Sequence, residues 1–438
     1  MPDIPSRNRI KRRIIERIEA RSARVSVVGL GYVGLPLAVS FAEAGFAVVG
    51  IDTDQEKLEG LRQDVSHVPD IPSERLRKLP AEKLTFHSAH ARAGKCDAVI
   101  ICVPTPLGKT RDPDLSCLIR ASESVSEHLQ SGMLVILEST TYPGTTEELV
   151  QPILESSGLR AGSDFFLAFS PERIDPGRSD FILTNTPKVV GGVTPDCLEA
   201  AVMLYRQIVD RVVEVSSTQA AEMVKLLENP FRAVNIALVN EVAIMCDKLD
   251  LDVWEVVEAA ATKPYGFMPF SPGPGVGGHC IPLDPHYLSW KLKTLNYNAR
   301  FIQLAGEINS QMPEYWTTKI QDALNDRGQS VKGSRILLLG VAYKKDVDDV
   351  RESPALDMIE LLRQKRADLA YFDPYVPSLH FGGFELQCES DLVRALKRAD
   401  CTVVVTDHTS FDWEEVRRYS RLIVDTRHIS ELSGDRDV

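Results

Sequence analysis

The stretch RVSVVGLGYVGLPLAVSFAEAGFAVVGIDTD, residues 24–54, contains the pattern that decides the fold of the first part of the chain. An apolar run, RVSVV, leads into the glycine pattern GxGxxG at Gly29, Gly31 and Gly34, and an amphipathic segment follows. In this context the first glycine permits a tight turn, the second allows a pyrophosphate to approach the backbone, and the third lets the helix pack on the strand. The stretch therefore predicts the strand, turn and helix of a dinucleotide-binding domain.

The second apolar run of this stretch, FAVVGID, ends in Asp52, eighteen residues after Gly34. A carboxylate at that strand end accepts hydrogen bonds from ribose hydroxyls and repels a 2′-phosphate, so the pattern favours NAD over NADP. Tyr32 and Val33 lie inside the glycine pattern, and we assign them to cofactor binding together with the three glycines. Asp54 is predicted to cap the next helix.

Short β-branched runs alternate with longer amphipathic segments from residue 24 to about 212, which predicts a parallel, doubly wound sheet. Two of these runs end in hydroxyl residues, one at Thr105 and the other at Ser139, Thr140 and Thr141. Because parallel strands deliver their carboxyl ends to one crevice, we expect Thr105 and Thr140 to contact the cofactor, although hydroxyls at strand ends also serve as simple caps.

The pattern changes between about Ser216 and Ala261, where helix formers recur at helical spacing with one interruption at Pro230. This predicts a long, kinked helix followed by a second one. The alternating pattern returns at RILLLGVAYK, residues 335–344, and continues almost to the end. The sequence therefore predicts an α/β fold in which two Rossmann-like, doubly wound domains are joined by a central long-helix region. The predicted domains cover residues 1–212, 213–320 and 321–438, and the middle one is the expected dimerisation region.

Composition limits the classes of function. The chain has 438 residues, 44% of them hydrophobic, which suits two or three domains with full cores. A formal net charge of −12 provides no global positive field for nucleic acid or an anionic membrane. Eight cysteines without a CxxC pair indicate buried thiols in a reducing cytoplasm rather than disulfides or a metal site. The basic segment before residue 24 lacks a signal-peptide core, no apolar run reaches membrane-spanning length, and we expect a cytoplasmic protein whose first segment is a solvated helix.

A second motif, GPGVGGHCIPLDPHY at residues 273–287, surrounds Cys280 with glycines and prolines. Glycines such as Gly275 and Gly277 remove side-chain bulk, so a polar ligand could lie against the backbone. Cys280 is therefore predicted to occupy an accessible turn, and His279 is interpreted as structural. Asp284 is equally compatible with capping the turn and with positioning a water molecule.

A cysteine thiolate needs a cationic or helix-terminal neighbour to be populated near neutral pH. Lys225 and Asn229 are four residues apart in KLLEN, and on a helix they would present an ammonium and a carboxamide to the same oxygen. The alternative is an exposed helical lysine and an asparagine that only precedes Pro230.

A third motif, GVAYKKDVDDVRESPALDMIELL at residues 340–362, follows a predicted strand and opens a helix with Pro354 in its first turn. Lys344 and Arg351 could bind a second phosphate-bearing ligand while nearby carboxylates keep them oriented. A surface ion-pair network explains the same residues.

The motifs GLGYVGLP, CVPTP, STTYPGT, SPERIDPG, KLLEN, GPGVGGHCIPLDP and GVAYKKDVDDVRESPA occur in this order across nearly the whole chain. Together they resemble the UDP-glucose/GDP-mannose dehydrogenase family. The segment from KLLEN to IPLDP most resembles the branch that oxidises UDP-N-acetylglucosamine to the uronic acid for bacterial surface polysaccharides.

The resemblance implies a four-electron oxidation of the sugar C6 alcohol with two NAD⁺. Cys280 matches the nucleophile that forms a thiohemiacetal and then a thioester. Lys225 and Asn229 match the pair that stabilises oxyanions, and Asp284 matches the carboxylate that assists water or proton transfer. Thr140 and Glu172 match polar residues around that water.

The resemblance also implies binding residues. Glu172, Arg173, Lys225, Asn229, Gly275, Gly277 and Lys344 are assigned to the UDP-sugar, and Arg351 near the domain interface is assigned to the cofactor. The sequence departs from the UDP-glucose branch at Pro176, which stands where a second glutamate is expected. Arg173 and Asp175 are the alternatives for the missing proton route, and Lys263 is the nearest candidate for an arginine that crosses from a neighbouring subunit.

The resemblance implies a UDP-N-acetylhexosamine substrate, no metal, no nucleic-acid partner and a homodimer or higher homo-oligomer. Two other functions remain open at this stage. An ordinary two-electron hydroxy-acid dehydrogenase would use Lys225 and Asn229 as its catalytic pair but would leave Cys280 without a role. A nucleotide-sugar sensor would keep the fold and lack turnover.

Overall fold

A computed structural model describes residues 4–108, 112–174, 180–278 and 281–432. The chain forms two compact units, one comprising residues 1–228 and 286–296, the other residues 229–285 and 297–438. The fold class is α/β, as the sequence predicts, with a large sheet, a central helical region and a second, smaller sheet.

The strands of the described residues are β1 (Arg24–Val28), β2 (Ala47–Ile51), β3 (Leu84–His87), β4 (Ala98–Ile101), β5 (Leu134–Leu137), β6 (Phe166–Phe169), β7 (Lys188–Gly192), β8 (Val212–Val215), β9 (Arg335–Leu339), β10 (Asp368–Phe372), β11 (Ser378–Phe381), β12 (Phe384–Gln387), β13 (Cys401–Val404) and β14 (Ile423–Asp425).

The α-helices of the same residues are α1 (Ile4–Glu19), α2 (Gly34–Glu43), α3 (Gln55–Arg62), α4 (Ser73–Arg77), α5 (Ser116–Ser126), α6 (Gln151–Glu155), α7 (Pro195–Tyr205), α8 (Thr218–Lys248), α9 (Val253–Ala261), α10 (Asp284–Thr294), α11 (Arg300–Asp326), α12 (Pro354–Gln364), α13 (Leu392–Arg398) and α14 (Trp413–Tyr419). A π-helical turn, Thr146–Val150, precedes α6, and short 3₁₀ helices occupy His90–Lys95 and Ser430–Leu432.

The first unit contains an eight-stranded sheet in the order β3-β2-β1-β4-β5-β6-β7-β8. The prediction of a parallel sheet is wrong at one place, because β6 and β7 pair antiparallel. An antiparallel neighbour needs no crossover helix, and the described residues between these strands, 170–174 and 180–187, form none. The other pairs are parallel, and β1, β2 and β4 end at the same level, since Val28 is in register with Ile51 and Ile101.

One face of the N-terminal helix α1 packs on the first unit, so the solvated helix that the sequence suggested is solvated on its other face only. Ile14 and Ile18 are buried in the core. Lys11 of α1 donates hydrogen bonds to Asp196 and Glu199 of α7, each at 2.9 Å. The charged face of this helix is therefore solvated while its isoleucines stabilise the domain.

The second unit contains a four-stranded parallel sheet, β10-β9-β13-β14, and the hairpin β11-β12. Buried side chains of α11, α12 and β9 form its core, among them Ile320, Met358 and Ile336. Pro354 is the first residue of α12, which confirms its predicted place in the first turn of a helix. Ser353 caps that helix by accepting from the Ala355 N–H. In the central region α8 continues through Pro230, and α9 follows it, in agreement with the two predicted helices.

No helix in the part of the chain that the structure describes is long and apolar enough to cross a membrane.

Candidate active site

The turn between β1 and α2 leaves open the space that a dinucleotide requires. Gly29 has φ +92°, and a Cβ there would lie 2.5 Å from the carbonyl oxygen of Cys102. A Cβ at Gly34 would collide with the carbonyl oxygen of Gly29, whereas a Cβ at Gly31 would meet nothing within 4 Å. Two of the glycines are thus required by packing, and the third faces open space where a pyrophosphate could approach.

Asp52 follows β2 and is held beside this turn. Its Oδ2 accepts from the Leu30 N–H at 2.8 Å, and its Oδ1 accepts from the Asp54 N–H at 3.0 Å. The carboxylate stays partly exposed and retains acceptor capacity for ribose hydroxyls. Asp54 caps α3 by accepting from the N–H groups of Glu56 and Lys57, which confirms that prediction.

His67 is a residue of this site that the sequence did not indicate. Its Nε2 lies 2.8 Å from the carbonyl oxygen of Leu30, so both polar groups of the Leu30 residue are held, one by His67 and one by Asp52. Tyr32 is 41% exposed, and Val33 packs partly against the core at the start of α2. The cofactor roles of Tyr32 and Val33 stay predictions.

The two hydroxyl-bearing strand ends lie together, as the topology predicts. Thr105 is buried, and its hydroxyl donates to the carbonyl oxygen of Thr140 at 2.7 Å. Ser139 donates to the carbonyl oxygen of Val103 at 2.7 Å. The structure therefore uses Thr105 to join the two loops, while the side chain of Thr140 is partly exposed. Contact of either residue with the cofactor stays a prediction.

Glu172 lies in the loop that follows β6 and is the centre of a charged network. Its Oε1 accepts from the N–H groups of Arg173 at 2.8 Å and Ile174 at 2.7 Å. Its Oε2 accepts from Lys188 at 3.1 Å. Burial alone would raise the pKa of Glu172, but Lys188, the Ile174 N–H and Lys225 outweigh burial, and the pKa lies below its ordinary value.

Lys188 is buried between two carboxylates. It donates to Glu138 at 2.8 Å as well as to Glu172, and Tyr205 donates its hydroxyl hydrogen to Glu138. Burial lowers the pKa of Lys188, but the two carboxylates overcome that effect and raise it. Burial raises the pKa of Glu138, and Lys188 opposes the change. Lys188 and Glu138 were not predicted from the sequence. The features that could have indicated them are a lysine at the start of the apolar run KVVGG and a glutamate at the end of LVILE.

Helix α8 carries both residues of the predicted KLLEN pair. Lys225 and Asn229 are 8% and 7% exposed, so Lys225 is not the exposed lysine of the alternative interpretation. In the first unit, Lys225 lies close enough to Glu172 to lower its pKa. In the second unit, Asn229 donates its side-chain amide hydrogen to Asp284, which is buried at the first turn of α10. Cys280, four residues before Asp284 in the sequence, lies outside the described residues, as do His279, Asp175 and Pro176.

Arg173 is engaged within the first unit. Its Nη2 donates to Glu228 of α8 at 2.6 Å, its Nε donates to the same carboxylate at 3.0 Å, and its Nη1 donates to the carbonyl oxygen of Pro187 at 2.6 Å. These contacts fix the loop after β6 to α8. The predicted contact of Arg173 with the UDP-sugar remains untested by them.

Glu222 ties α8 to the loop after β5, which the sequence also did not reveal. Its carboxylate accepts from the Gly144 N–H at 2.5 Å, from the Thr146 N–H at 2.9 Å and from the Thr146 hydroxyl at 2.7 Å. Burial raises its pKa to about 7, against the lowering effect of these hydrogen bonds. The same helix that carries Lys225 thus holds the loop that carries Thr140.

The glycines before Cys280 have a structural reason beyond ligand access. A Cβ at Gly277 would lie 2.7 Å from the carbonyl oxygen of Glu352, and Gly275 has φ +130°. The Gly278 N–H donates to the carbonyl oxygen of Arg351 at 3.0 Å. Within the second unit the glycine loop therefore packs closely on the segment before α12. Contact of Gly275 and Gly277 with the UDP-sugar stays a prediction.

Residues of the third motif form ion pairs, which is the alternative interpretation of this motif. Arg351 donates to Asp349 through Nη2 at 2.6 Å and through Nε at 2.9 Å, and Lys345 lies 3.4 Å from Asp407. Lys344 is partly buried. The assignments of Lys344 to the UDP-sugar and of Arg351 to the cofactor stay predictions.

Family comparisons cover most of the chain. The UDP-glucose/GDP-mannose dehydrogenase family models match with the NAD binding domain at residues 23–209, the central domain at 219–311 and the UDP binding domain at 337–431. The chain belongs to the UDP-glucose/GDP-mannose dehydrogenase family. It is accordingly an oxidoreductase of the nucleotide-sugar dehydrogenase type, and NAD is its cofactor.

Similar proteins include the UDP-N-acetyl-D-glucosamine 6-dehydrogenase of Pseudomonas aeruginosa, 40% identical over 81% of this chain and 84% of that protein. The UDP-N-acetyl-D-mannosamine dehydrogenase of Pyrococcus horikoshii is 38% identical over 93% of this chain and 96% of that protein. A solved structure of the UDP-D-ManNAc dehydrogenase from Pyrococcus horikoshii superimposes with a TM-score of 0.86, at 38% identity, over 95% of this chain and 97% of that chain.

Proposed function

We propose that this protein oxidises the C6 hydroxyl of UDP-N-acetyl-D-glucosamine to the carboxylate, using two NAD⁺, through a thioester on Cys280. The balanced reaction converts the alcohol, two NAD⁺ and one water into the carboxylate, two NADH and three protons. Its proposed context is the synthesis of surface polysaccharides in the cytoplasm.

The observation that carries the proposal is the placement of Lys225 and Asn229, one turn apart and buried on α8. Each is adjacent to an acidic residue that the mechanism requires: Lys225 lowers the pKa of Glu172, and Asn229 donates to Asp284. An ordinary hydroxy-acid dehydrogenase requires no carboxylate at the position of Asp284, so this arrangement favours the thioester route.

The residues of the chain are proposed to act in the following way. The Cys280 sulfur adds to the C6 aldehyde, and Lys225 and Asn229 stabilise the oxyanion with an ammonium and an amide N–H. The thioester that results from the second oxidation is hydrolysed by water, whose position is fixed by Thr140, Glu172 and Asp284. Hydrolysis breaks the carbon–sulfur bond and returns Cys280 to the thiol.

The residues around Gly31 fit the cofactor, because that position faces open space and Asp52 retains acceptor capacity. NAD⁺ held there would supply the hydride acceptor for both oxidations at C6.

A second substrate, UDP-N-acetyl-D-mannosamine, is favoured by the Pyrococcus relative, which matches a larger share of the chain than the Pseudomonas one. The two sugars differ only in configuration at C2, which pocket shape determines. UDP-glucose, UDP-GlcNAc, UDP-GalNAc and UDP-ManNAc should therefore be supplied in parallel with NAD⁺, and NADH measured by absorbance. Turnover of UDP-GlcNAc with the highest kcat/KM supports the proposal, and preference for UDP-ManNAc replaces it with the second candidate.

Product stoichiometry tests the mechanism. We expect two NADH per sugar and a uronic acid product; one NADH per sugar would favour the two-electron dehydrogenase, and binding without turnover would favour the sensor.

Cys280→Ser should lower turnover by more than ~10³-fold while NAD binding persists. Cys117→Ser is the control, since Cys117 is partly exposed and lies on α5. Unchanged turnover in the Cys280 variant would refute the nucleophile.

We also propose that the protein is a homodimer whose interface covers exposed apolar residues of the central helices. Leu238 and Leu249, on α8 and directly after it, are 56% and 67% exposed, and Phe301 and Leu304 on α11 are 78% and 52% exposed. Exposed large apolar side chains are typical of an interface. Sedimentation should give twice the mass of the chain, and Phe301→Asp should shift the equilibrium toward monomer; a monomeric wild-type protein would refute the proposal.

A further inference from the structure

Lys188 carries a charge that the proposed reaction does not use directly. The ammonium is 3% exposed, and an ion removed from water to this extent is retained only when its partners compensate it. Its two partners are the carboxylates of Glu138, which is sealed from solvent, and Glu172, whose side chain is 13% exposed. Glu172 is thus held by a buried ammonium, while part of its own side chain is accessible to solvent.

We propose that Lys188 is a positioning residue for Glu172: its buried ammonium fixes the Glu172 carboxylate in place and keeps it ionised. Glu138 and Tyr205 act behind Lys188 and hold the ammonium in this position. Glu172 then serves the reaction as a hydrogen-bond acceptor for water, and not as a proton donor. This inference rests on the proposed function, because the role of Glu172 belongs to that proposal.

The hydrogen bonds support this arrangement from both sides. Oε2 of Glu172 accepts from Lys188, while Oε1 accepts two backbone N–H groups, so both carboxylate oxygens have a fixed direction. Hydrogen bonds donated to a carboxylate stabilise its charged form. Lys188 in turn is fixed by Glu138, 2.8 Å away, and the Tyr205 hydroxyl fixes Glu138 from the opposite oxygen.

The titratable groups facing this carboxylate come from four elements. They are Lys188 of β7, Lys225 of α8, Glu138 directly after β5 and the buried thiol of Cys102 directly after β4. Burial raises the pKa of Cys102 well above its ordinary value, so that group remains neutral. The two ammonium groups favour the ionised form of Glu172, and Glu138 opposes it. Removing Lys188 or Glu138 should therefore shift the protonation of Glu172 in opposite directions.

Isotope-edited infrared spectroscopy can follow this protonation in the whole protein. With ¹³C-labelled glutamate, the difference between wild type and Glu172→Gln isolates the bands of that carboxyl. In Lys188→Met we expect the midpoint of protonation to rise by at least one pH unit, which is about tenfold in the equilibrium. Glu138→Gln should lower the midpoint, because Lys188 then has a single carboxylate partner. Lys188→Arg should restore most of the wild-type behaviour.

Lys11→Met is the matched control. Lys11 also binds two carboxylates, Asp196 and Glu199, but at the surface formed by α1 and α7. Its loss should leave the Glu172 midpoint unchanged. A midpoint that is unchanged in Lys188→Met, or that moves in the same direction in Glu138→Gln, overturns the inference. If Lys188→Met does not fold, Glu138→Gln is the deciding variant. An unchanged or higher midpoint of Glu172 protonation in that variant would overturn the inference.

Turnover of the same proteins separates this inference from the proposed function. If the wild type oxidises no UDP-sugar, the proposed function fails, while the infrared midpoints still decide whether Lys188 keeps Glu172 ionised. If it is active, the acid limb of the kcat profile should shift in the same direction as the midpoint in each variant. A purely structural role for Lys188 would lower kcat without moving that limb.

Discussion

The two sheets repeat one local design and use it differently. In the first unit, Gly29 follows β1 with φ +92°, and the next N–H donates to Asp52 after β2. In the second unit, Gly340 follows β9 with φ +75°, and the next N–H donates to Asp373 after β10 at 2.7 Å. In each case a carboxylate at the end of the second strand holds the turn that follows the first.

Exposure separates the two carboxylates. Asp52 is partly exposed, whereas Asp373 is 3% exposed and lies 3.0 Å from His408 Nε2. His408 Nδ1 accepts from the Asp346 N–H, so the ring hydrogen is on Nε2 and is donated to Asp373. The same position therefore stays partly open to solvent in one sheet and completes a buried network in the other. The comparison shows that topology alone does not make a strand-end carboxylate a binding residue.

The largest expected effect comes from Asp373→Ala. Burial raises the pKa of Asp373, but His408 and the backbone N–H groups outweigh it and hold the pKa below the ordinary value. The ionised group then stabilises the fold above the unfolded-state pKa, and this stability is lost as the pH falls through the folded-state pKa. Loss of the carboxylate leaves buried donors unpaired, and we expect unfolding to become about 3–5 kcal/mol easier. Denaturant unfolding at pH 7 measures this, and NAD affinity should not change in folded protein.

Alanine at two glycines of the first unit should separate packing from binding. Gly34→Ala forces a Cβ against the Gly29 carbonyl oxygen, and we expect a loss of ~3 kcal/mol of stability. Gly31→Ala meets no protein atom within 4 Å, so its unfolding should match the wild type while NAD binding is lost. Calorimetric titration with NAD⁺ beside thermal unfolding gives both quantities; a Gly31 variant that binds NAD normally would contradict the assignment of the open space.

Glu222 should give the stability of the first unit a pH dependence that is opposite in sign to the one expected from Asp373. Its pKa is raised to about 7, so its contribution to stability is present below the unfolded-state value near 4.5 and is lost as the pH rises through about 7. The change amounts to at most about 3 kcal/mol. Glu222→Gln should flatten this dependence of stability on pH, as hydrogen exchange of the first unit would show. Glu82→Gln is the control, because Glu82 is exposed; a flattened profile in that variant instead would exclude Glu222 as the cause.

The smallest effect is expected for Asp52→Asn. The amide oxygen can still accept from Leu30, but the Asp54 N–H loses its acceptor, so stability should fall by about 1 kcal/mol. One acceptor for the ribose hydroxyls is lost, and NAD affinity should fall about tenfold, or ~1.4 kcal/mol. NADP should lose less affinity than NAD, because the repelling charge is removed. Equal losses for both cofactors would mean that Asp52 only holds the turn, like Asp373.

In the second unit the sequence patterns missed the hairpin β11-β12, and in the first unit they missed LTFH and FLAF, which form β3 and β6. Both runs have only four residues, and FLAF has no β-branched residue, so neither shows a strand pattern by itself. They become strands because β2 offers an edge to β3 and β5 offers one to β6. The antiparallel pairing of β6 with β7 depends on how the chain returns, which local patterns do not encode.

The sequence likewise indicated some of the candidate site residues and missed others. Gly29, Gly34 and Asp52 were found because a turn and a strand end impose residue types at fixed spacing. Lys188, Glu138 and His67 were missed because their partners are 16 to 50 residues away in the chain.

By itself the sequence determined the α/β class, the glycine turn for the dinucleotide and the helical face that carries Lys225 and Asn229, because each follows from local periodicity or from steric limits on a few neighbouring residues. Only the tertiary structure decided which carboxylates are sealed, which ammonium lies beneath Glu172 and why Gly277 has no side chain. Those properties depend on desolvation and on contacts between distant segments, which arise only when the chain has packed.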